Sequence, residues 1–126
     1  MSEEKQALSL EELRRVVVTA LEDMKAVDLL ELDVREKTSI TDLMLIVSGN
    51  SNRHVRSIAN NLIEEARKAG MRALGVEGQD GGEWVLVDLG DIVVHIMQPA
   101  TRELYRLERI WGVQGDSDDA YDSARG

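Results

Sequence analysis

The stretch Asp42-Leu43-Met44-Leu45-Ile46-Val47 is apolar at every position after its first residue. A strand that is apolar on both faces is typical of the centre of a sheet that is contacted on each side. The residues that follow, Ser48-Gly49-Asn50-Ser51-Asn52, are turn and helix-capping types, so the strand ends there. This part of the sequence therefore predicts a central strand followed directly by a helix.

Helical and strand-like periodicities alternate on both sides of this strand. Apolar residues at three- and four-residue steps predict helices from Leu10 to Ala26, after a capping box of Ser9 and Glu12, and from about Asn52 to Gly70. Alternation and short apolar runs predict the other strands. The remaining predicted elements are strands at Leu30 to Val34, Arg72 to Val76, Glu83 to Leu89 and Ile92 to Met97, and a short helix from Thr101 that carries Leu104 and Trp111.

This order of elements predicts an α/β domain with a mixed sheet of about five strands and flanking helices. The strand–helix–strand unit should form a right-handed parallel crossover, whereas the last two strands should form an antiparallel hairpin around Gly90-Asp91. We expect a flexible segment at residues 1–8, the domain at 9–112 and an acidic disordered tail at 113–126. The tail has four Asp and one Arg and almost nothing apolar to bury.

Composition narrows the class of protein. The chain has 126 residues, 43% of them hydrophobic, a formal net charge of −9 and no cysteine, which suits one globular domain without disulfides or Cys-type zinc sites. Its apolar runs are too short to span a bilayer, and its first residues do not form a secretory signal. We therefore expect a cytoplasmic protein with no membrane partner. The negative charge opposes binding to free nucleic acid and favours a basic protein partner.

Candidate sites for chemistry have simpler structural explanations. The Ser48–His54 corner between a strand and a helix could hold a phosphate, but it lacks a known phosphate-binding pattern, and Ser51 or Asn52 is explained as a helix N-cap. Asp88 and Asp91 flank a turn, where acidic residues are common. The predicted strands contain no Asp-x-Asp pair, and the two histidines lie on different elements. We therefore predict no catalytic site, no metal site and no cofactor.

Strand parity separates two faces near the end of the predicted sheet, because successive side chains point to opposite sides. One face is wholly apolar and belongs to the core. The other carries Trp84, Leu86 and Asp88 on one strand and Val93, His95 and Met97 on the next. A mixture of Trp, Met, His and a carboxylate resembles the centre of a protein–protein interface. The alternative is that the last helix covers this face and that Trp84 belongs to the core.

Several segments, taken in order, resemble the ribosomal silencing factor family, also called Iojap. The resemblance runs from about Leu10 to Gly112. The segments that carry it are Ser39-Ile40-Thr41-Asp42, Ser48-Gly49-x-Ser51-x-Arg53-His54-Val55, Gly75-Val76-Glu77-Gly78, Glu83 to Asp91, His95-x-Met97 and Arg102-x-x-Tyr105-x-Leu107-Glu108-x-x-Trp111.

The resemblance implies a fold related to nucleotidyltransferases without their catalytic acids, and a protein that is not an enzyme. It implies binding to the large ribosomal subunit, on the protein numbered fourteen, at the face that meets the small subunit. Joining is thereby blocked and translation falls when nutrients are short, while organellar relatives act in ribosome assembly. The family's tryptophan corresponds to Trp84 and its acidic hairpin to Asp88 and Asp91. Together with parity, this gives the predicted partner-binding residues Trp84, Leu86, Asp88, Asp91, His95 and Met97.

Two other functions stay open at this point. One is a nucleotidyltransferase-like or phosphate-binding enzyme that uses the Ser48–His54 corner. The other is a factor that acts only in biogenesis of the large subunit. The sequence also leaves open a homodimer.

Overall fold

The computed structural model describes residues 8–105. Most of the predicted segment 1–8, the tail at 113–126 and the predicted helical residue Trp111 lie outside this range. The elements in the described range are α1 (Leu10–Asp23), β1 (Val27–Asp33), β2 (Leu43–Ser48), α2 (Asn52–Lys68), β3 (Gly75–Glu77), β4 (Trp84–Asp88), β5 (Ile92–Met97) and α3 (Pro99–Tyr105).

The five strands form one mixed sheet in the order β1-β2-β5-β4-β3. β2 and β5 are parallel, and the other neighbouring pairs are antiparallel. This confirms the predicted α/β fold with a mixed five-stranded sheet, and the antiparallel hairpin of the last two strands. β2 and β3, which α2 connects, run in the same direction but are not neighbours, because β5 and β4 lie between them. The crossover therefore spans two intervening strands.

The main core lies between one face of the sheet and the two long helices. It joins buried residues of α1 and α2, such as Val17 and Ile58, to alternate residues of the strands, such as Leu45, Val87 and Val94. A smaller cluster lies on the opposite face. It consists of Leu32, Val34, Met44, Ile46 and Met97, with Leu30 and Trp84 packed against it. β2 contributes to both clusters and all its residues are buried, as its apolar sequence predicted.

The helix boundaries follow from local hydrogen bonds and backbone geometry. Ser9 and Glu12 form the predicted capping box of α1. The helix ends at Asp23 and not at Ala26, because Lys25 adopts a positive φ of 59° and the chain turns there. α3 begins at Pro99, before the predicted Thr101, because proline fits the first helical position, where no N–H bond is needed.

Two strands differ from their predicted bounds by more than one residue at an end. β1 begins earlier, at Val27, which pairs with Ser48. The register of β1 against β2 shifts between Val27 and Leu30. β3 is only Gly75–Glu77, because these are the residues that pair with β4. None of the helices in residues 8–105 is long and apolar enough to cross a membrane.

Candidate partner-binding face

The predicted partner-binding residues of β4 and β5 lie together on one side of the sheet. Their neighbours in sequence, such as Val85 and Ile96, belong to the core beneath α1 and α2. By alternation, the other side chains point away from those helices. We call this surface the Trp84 face. It consists of Trp84, Leu86 and Asp88 on β4 and Val93, His95 and Met97 on β5.

The antiparallel register places these residues in three successive cross-strand pairs. Trp84 is opposite Met97, Leu86 is opposite His95, and Asp88 is opposite Val93. Directly opposed side chains on one face are close enough to touch. The structure thus brings together five of the six predicted residues. The sixth, Asp91, lies in the turn between the two strands.

Burial varies strongly across the Trp84 face. Met97 is fully buried and His95 is only 7% exposed, whereas Trp84, Leu86 and Asp88 are half-buried. Trp84 is thus neither fully buried nor fully exposed, and it packs against the small cluster that contains Met97. α3 does contact this face, since the ring of Tyr105 lies 4.8 Å from that of Trp84. Tyr105 itself is 51% exposed.

Trp84 and His95 form a hydrogen-bonded aromatic pair. The indole Nε1 donates to His95 Nδ1 at 2.9 Å, and the ring centroids are 5.8 Å apart. Burial lowers the pKa of the His95 imidazole to about 4. The ring is therefore neutral near pH 7 and accepts the indole N–H. This bond fixes the relative orientation of two side chains on the Trp84 face.

The two acidic residues occupy the hairpin end of β4 and β5. Asp88 Oδ1 accepts a hydrogen bond from the Gly90 N–H at 2.9 Å, and Gly90 adopts a positive φ of 85°. This is the expected Asx-type turn. Asp91 is exposed, and its main-chain carbonyl accepts from the N–H groups of Asp42 and Leu43. The turn is thus held against the start of β2, with acidic side chains at its edge.

Some residues next to the Trp84 face were not among the predicted ones. Met44 and Ile46 of β2 belong to the same small cluster as Met97. Strand parity on β2 could have identified them, since they alternate with core residues. Tyr105 also contacts Trp84. Sequence carries no signal for that contact, because it depends on how α3 turns back over the sheet.

The Ser48–His54 corner uses its polar groups internally. Ser51 Oγ accepts from the His54 N–H at 3.0 Å, which confirms the predicted N-cap. His54 Nδ1 lies 2.8 Å from the Asn50 N–H that donates to it, and Ser48 Oγ accepts from Arg102. Residues 8–105 contain no cluster of three or more His, Asp or Glu side chains able to hold a metal ion.

Comparison with known proteins identifies the family. The family model described as "Ribosomal silencing factor during starvation" matches residues 7–125. The chain belongs to the ribosomal silencing factor family. Two curated ribosomal silencing factors show the extent of the similarity. The one from Chromobacterium violaceum is 43% identical over 87% of this chain and 90% of its own length. The one from Haemophilus influenzae is 46% identical over 75% of this chain and 93% of its own length.

A solved structure and a mitochondrial relative are also similar to this chain. A crystal structure of a Chromobacterium violaceum protein superposes with a TM-score of 0.81 at 43% identity, covering 83% of this chain and 88% of that one. A mouse protein named "Mitochondrial assembly of ribosomal large subunit protein 1" is 32% identical over 82% of this chain and 46% of its own length. Membership in the silencing factor family supports a ribosome-associated silencing role.

Proposed function

We propose that this protein binds the large ribosomal subunit through the Trp84 face and the adjacent Asp91, on the large-subunit protein numbered fourteen. Bound there, it occupies the surface that meets the small subunit and blocks joining of the two subunits. This occlusion represses translation in the cytoplasm under nutrient limitation. It requires no chemical step, so the protein acts as a binding factor and not as an enzyme.

The observation that carries this proposal is that the two long helices cover one face of the sheet and leave the Trp84 face without them. α1 and α2 pack on one face only. The opposite face presents a half-buried tryptophan beside Leu86 and His95, with acidic residues at one end. Tryptophan is enriched among the residues that dominate binding energy at interfaces, and such residues lie in partly apolar surroundings with a polar rim. The Trp84 face has this composition.

Charge supports the choice of a basic protein as the partner. The net charge of −9 attracts a basic surface, whereas rRNA phosphates repel it. Asp88 and Asp91 place part of that charge at the edge of the Trp84 face. Charges at the rim of an interface chiefly raise the association rate and exclude wrong partners. A basic protein surrounded by rRNA is thus selected over the RNA itself.

Sedimentation of purified ribosomal subunits tests the proposal. Added protein should migrate with large subunits and shift joined ribosomes toward separate subunits. Pre-incubation of the protein with large subunits should prevent joining, whereas pre-incubation with small subunits should not. Migration with small subunits alone, or joining that proceeds normally on saturated large subunits, would contradict it.

The name of the mouse relative favours a second candidate, a role in assembly of the large subunit. The same gradients separate the two. A pure assembly factor should bind immature large subunits and leave the joining of mature ones unchanged. Self-association stays a prediction, which sedimentation equilibrium of the isolated protein can check.

A further inference from the structure

Trp84 determines which nitrogen of His95 carries the proton. The indole N–H is 2.9 Å from His95 Nδ1, and an indole nitrogen can only donate, so Nδ1 presents a lone pair. A neutral imidazole then has its single proton on Nε2. The side chain of His95 is therefore a donor at Nε2 and an acceptor at Nδ1.

The Nε2–H group of His95 has no hydrogen-bond partner among residues 8–105. The residue is only 7% exposed, so solvent has little access to it. Buried donors are almost always paired, because an unpaired one costs free energy. Nε2 is also the ring nitrogen farther from the main chain, and on a strand the side chain stands away from the sheet. Nε2 thus lies on the side of the sheet that carries the Trp84 face, opposite the core beneath α1 and α2.

We propose that the partner of the Trp84 face inserts a protein carbonyl oxygen that accepts a hydrogen bond from His95 Nε2. Trp84 then contributes in two ways: its ring adds contact area, and its N–H holds His95 in the tautomer that carries the proton on Nε2. This inference rests on the proposed function and specifies the chemistry of its contact. His95 becomes a specificity residue, since a partner without an acceptor at this point leaves the donor unpaired.

The nature of the acceptor follows from the charges nearby. Asp88 lies on the Trp84 face and Asp91 in the adjoining turn. Both carboxylates disfavour the approach of a second carboxylate or of an rRNA phosphate. A carbonyl oxygen carries no net charge, so it can accept the bond without that repulsion. A main-chain carbonyl or a side-chain amide of the basic protein partner has this chemistry.

Two substitutions separate the two nitrogens of His95. In His95→Asn the amide oxygen takes the place of Nδ1 and accepts from Trp84, but no donor reaches the position of Nε2. In His95→Gln the longer side chain places an amide N–H near the position of Nε2, but the acceptor for Trp84 is lost. We therefore expect His95→Asn to be the more stable variant and His95→Gln to be the better binder.

The experiment measures melting temperature and affinity for large subunits on wild type and both variants. His95→Asn should bind roughly tenfold more weakly than wild type, the usual effect of losing one such bond. His95→Gln should bind more tightly than His95→Asn despite a lower melting temperature. If His95→Asn binds like wild type, or if affinity follows melting temperature across the series, the inference is wrong. If wild type itself does not bind large subunits, the proposed function fails instead.

A second measurement distinguishes a protein acceptor from an RNA one. The same variants are tested against the isolated large-subunit protein numbered fourteen. A protein carbonyl predicts that the loss in His95→Asn appears there as well. A loss seen only on intact subunits would assign the acceptor to rRNA and overturn the proposal. Nitrogen NMR of His95 in the free protein should show the proton on Nε2, and a proton on Nδ1 would overturn the proposal equally.

Discussion

The Nε2 atom of His54, near the start of α2, lies 2.8 Å from the main-chain carbonyl oxygen of Met24, the residue that caps the end of α1. The Asn50 N–H donates to Nδ1, so Nε2 carries the proton and donates to Met24. Carbonyls at the end of a helix lack partners within that helix. His54 supplies such a partner and thereby connects the end of α1 to the corner after β2. Both ring nitrogens of His54 are thus engaged in hydrogen bonds within the fold.

This arrangement predicts that His54→Ala destabilises the fold. Two hydrogen bonds are lost, one of them to a helix end, so the free energy of unfolding should fall by about 1–3 kcal/mol. Urea unfolding at neutral pH measures the change. Arg53→Ala is the matched control, since Arg53 is the exposed neighbour on the same helical turn and should change stability by less than about 0.5 kcal/mol. Equal effects of the two substitutions would contradict a bridging role for His54.

Trp84→Ala should weaken large-subunit binding strongly. Truncating an anchoring interface tryptophan costs on the order of 2 kcal/mol or more, which is roughly a thirtyfold loss of affinity. A fully buried aromatic residue would instead cost about 3–5 kcal/mol of folding stability when truncated. Because Trp84 is half-buried, the loss of stability should be smaller than that. Melting temperature and subunit binding are measured on the same variant. A large drop in melting temperature with unchanged affinity would place Trp84 in the core.

Asp88 allows its charge to be separated from its role in the turn. Asp88→Asn keeps an oxygen that accepts from the Gly90 N–H and removes the charge. Its melting temperature should stay near that of wild type, while binding to large subunits weakens and becomes less sensitive to salt. Asp88→Lys should weaken binding further through charge reversal. Normal binding of Asp88→Lys would show that the partner contacts a different face.

The pKa of His95 predicts a loss of stability in mild acid. The native imidazole has a pKa of about 4, against 6.5 in the unfolded chain. Between these values the unfolded state binds more protons, so stability falls as the pH drops from about 6.5 toward 4. By pH 5 this loss should reach about 2 kcal/mol relative to pH 7. His95→Asn does not titrate, so its stability deficit against wild type should shrink over this range.

Three carboxylates with lowered pKa values do not interfere with that measurement. Hydrogen bonds from Ser9 and from Arg67 lower the pKa values of Glu12 and Glu64, and those from Arg35 lower the pKa of Asp33 to about 2. A carboxylate whose pKa is lowered in the native state stabilises the fold at pH values above its pKa in the unfolded chain. That stabilisation is lost only at more acidic pH. These three carboxylates therefore contribute little to the change in unfolding free energy between pH 7 and pH 5. A deficit of His95→Asn that stays constant over this interval would contradict the assignment.

The sequence by itself determined the layers of this protein. Three local patterns carried this information: the apolar residues on both faces of β2, the helical spacing of α1 and α2, and the alternation on β4 and β5. Each pattern shows which residues of its own segment are to be buried. Parity alone placed Trp84, His95 and Met97 on one face, and the capping roles of Ser9 and Ser51 were readable from residue type.

Tertiary structure decided the contacts that join distant segments. Four such relationships appear only when the chain is folded. They are the position of β5 between β2 and β4, the hydrogen bond from Trp84 to His95, the hydrogen bond from His54 to Met24, and the contact of Tyr105 with Trp84. Alternation specifies the face on which a side chain lies but neither its neighbours on the next strand nor its rotamer. The protonated nitrogen of His95 depends on such a neighbour, because the indole of Trp84 reaches Nδ1 only once β4 and β5 are paired in register.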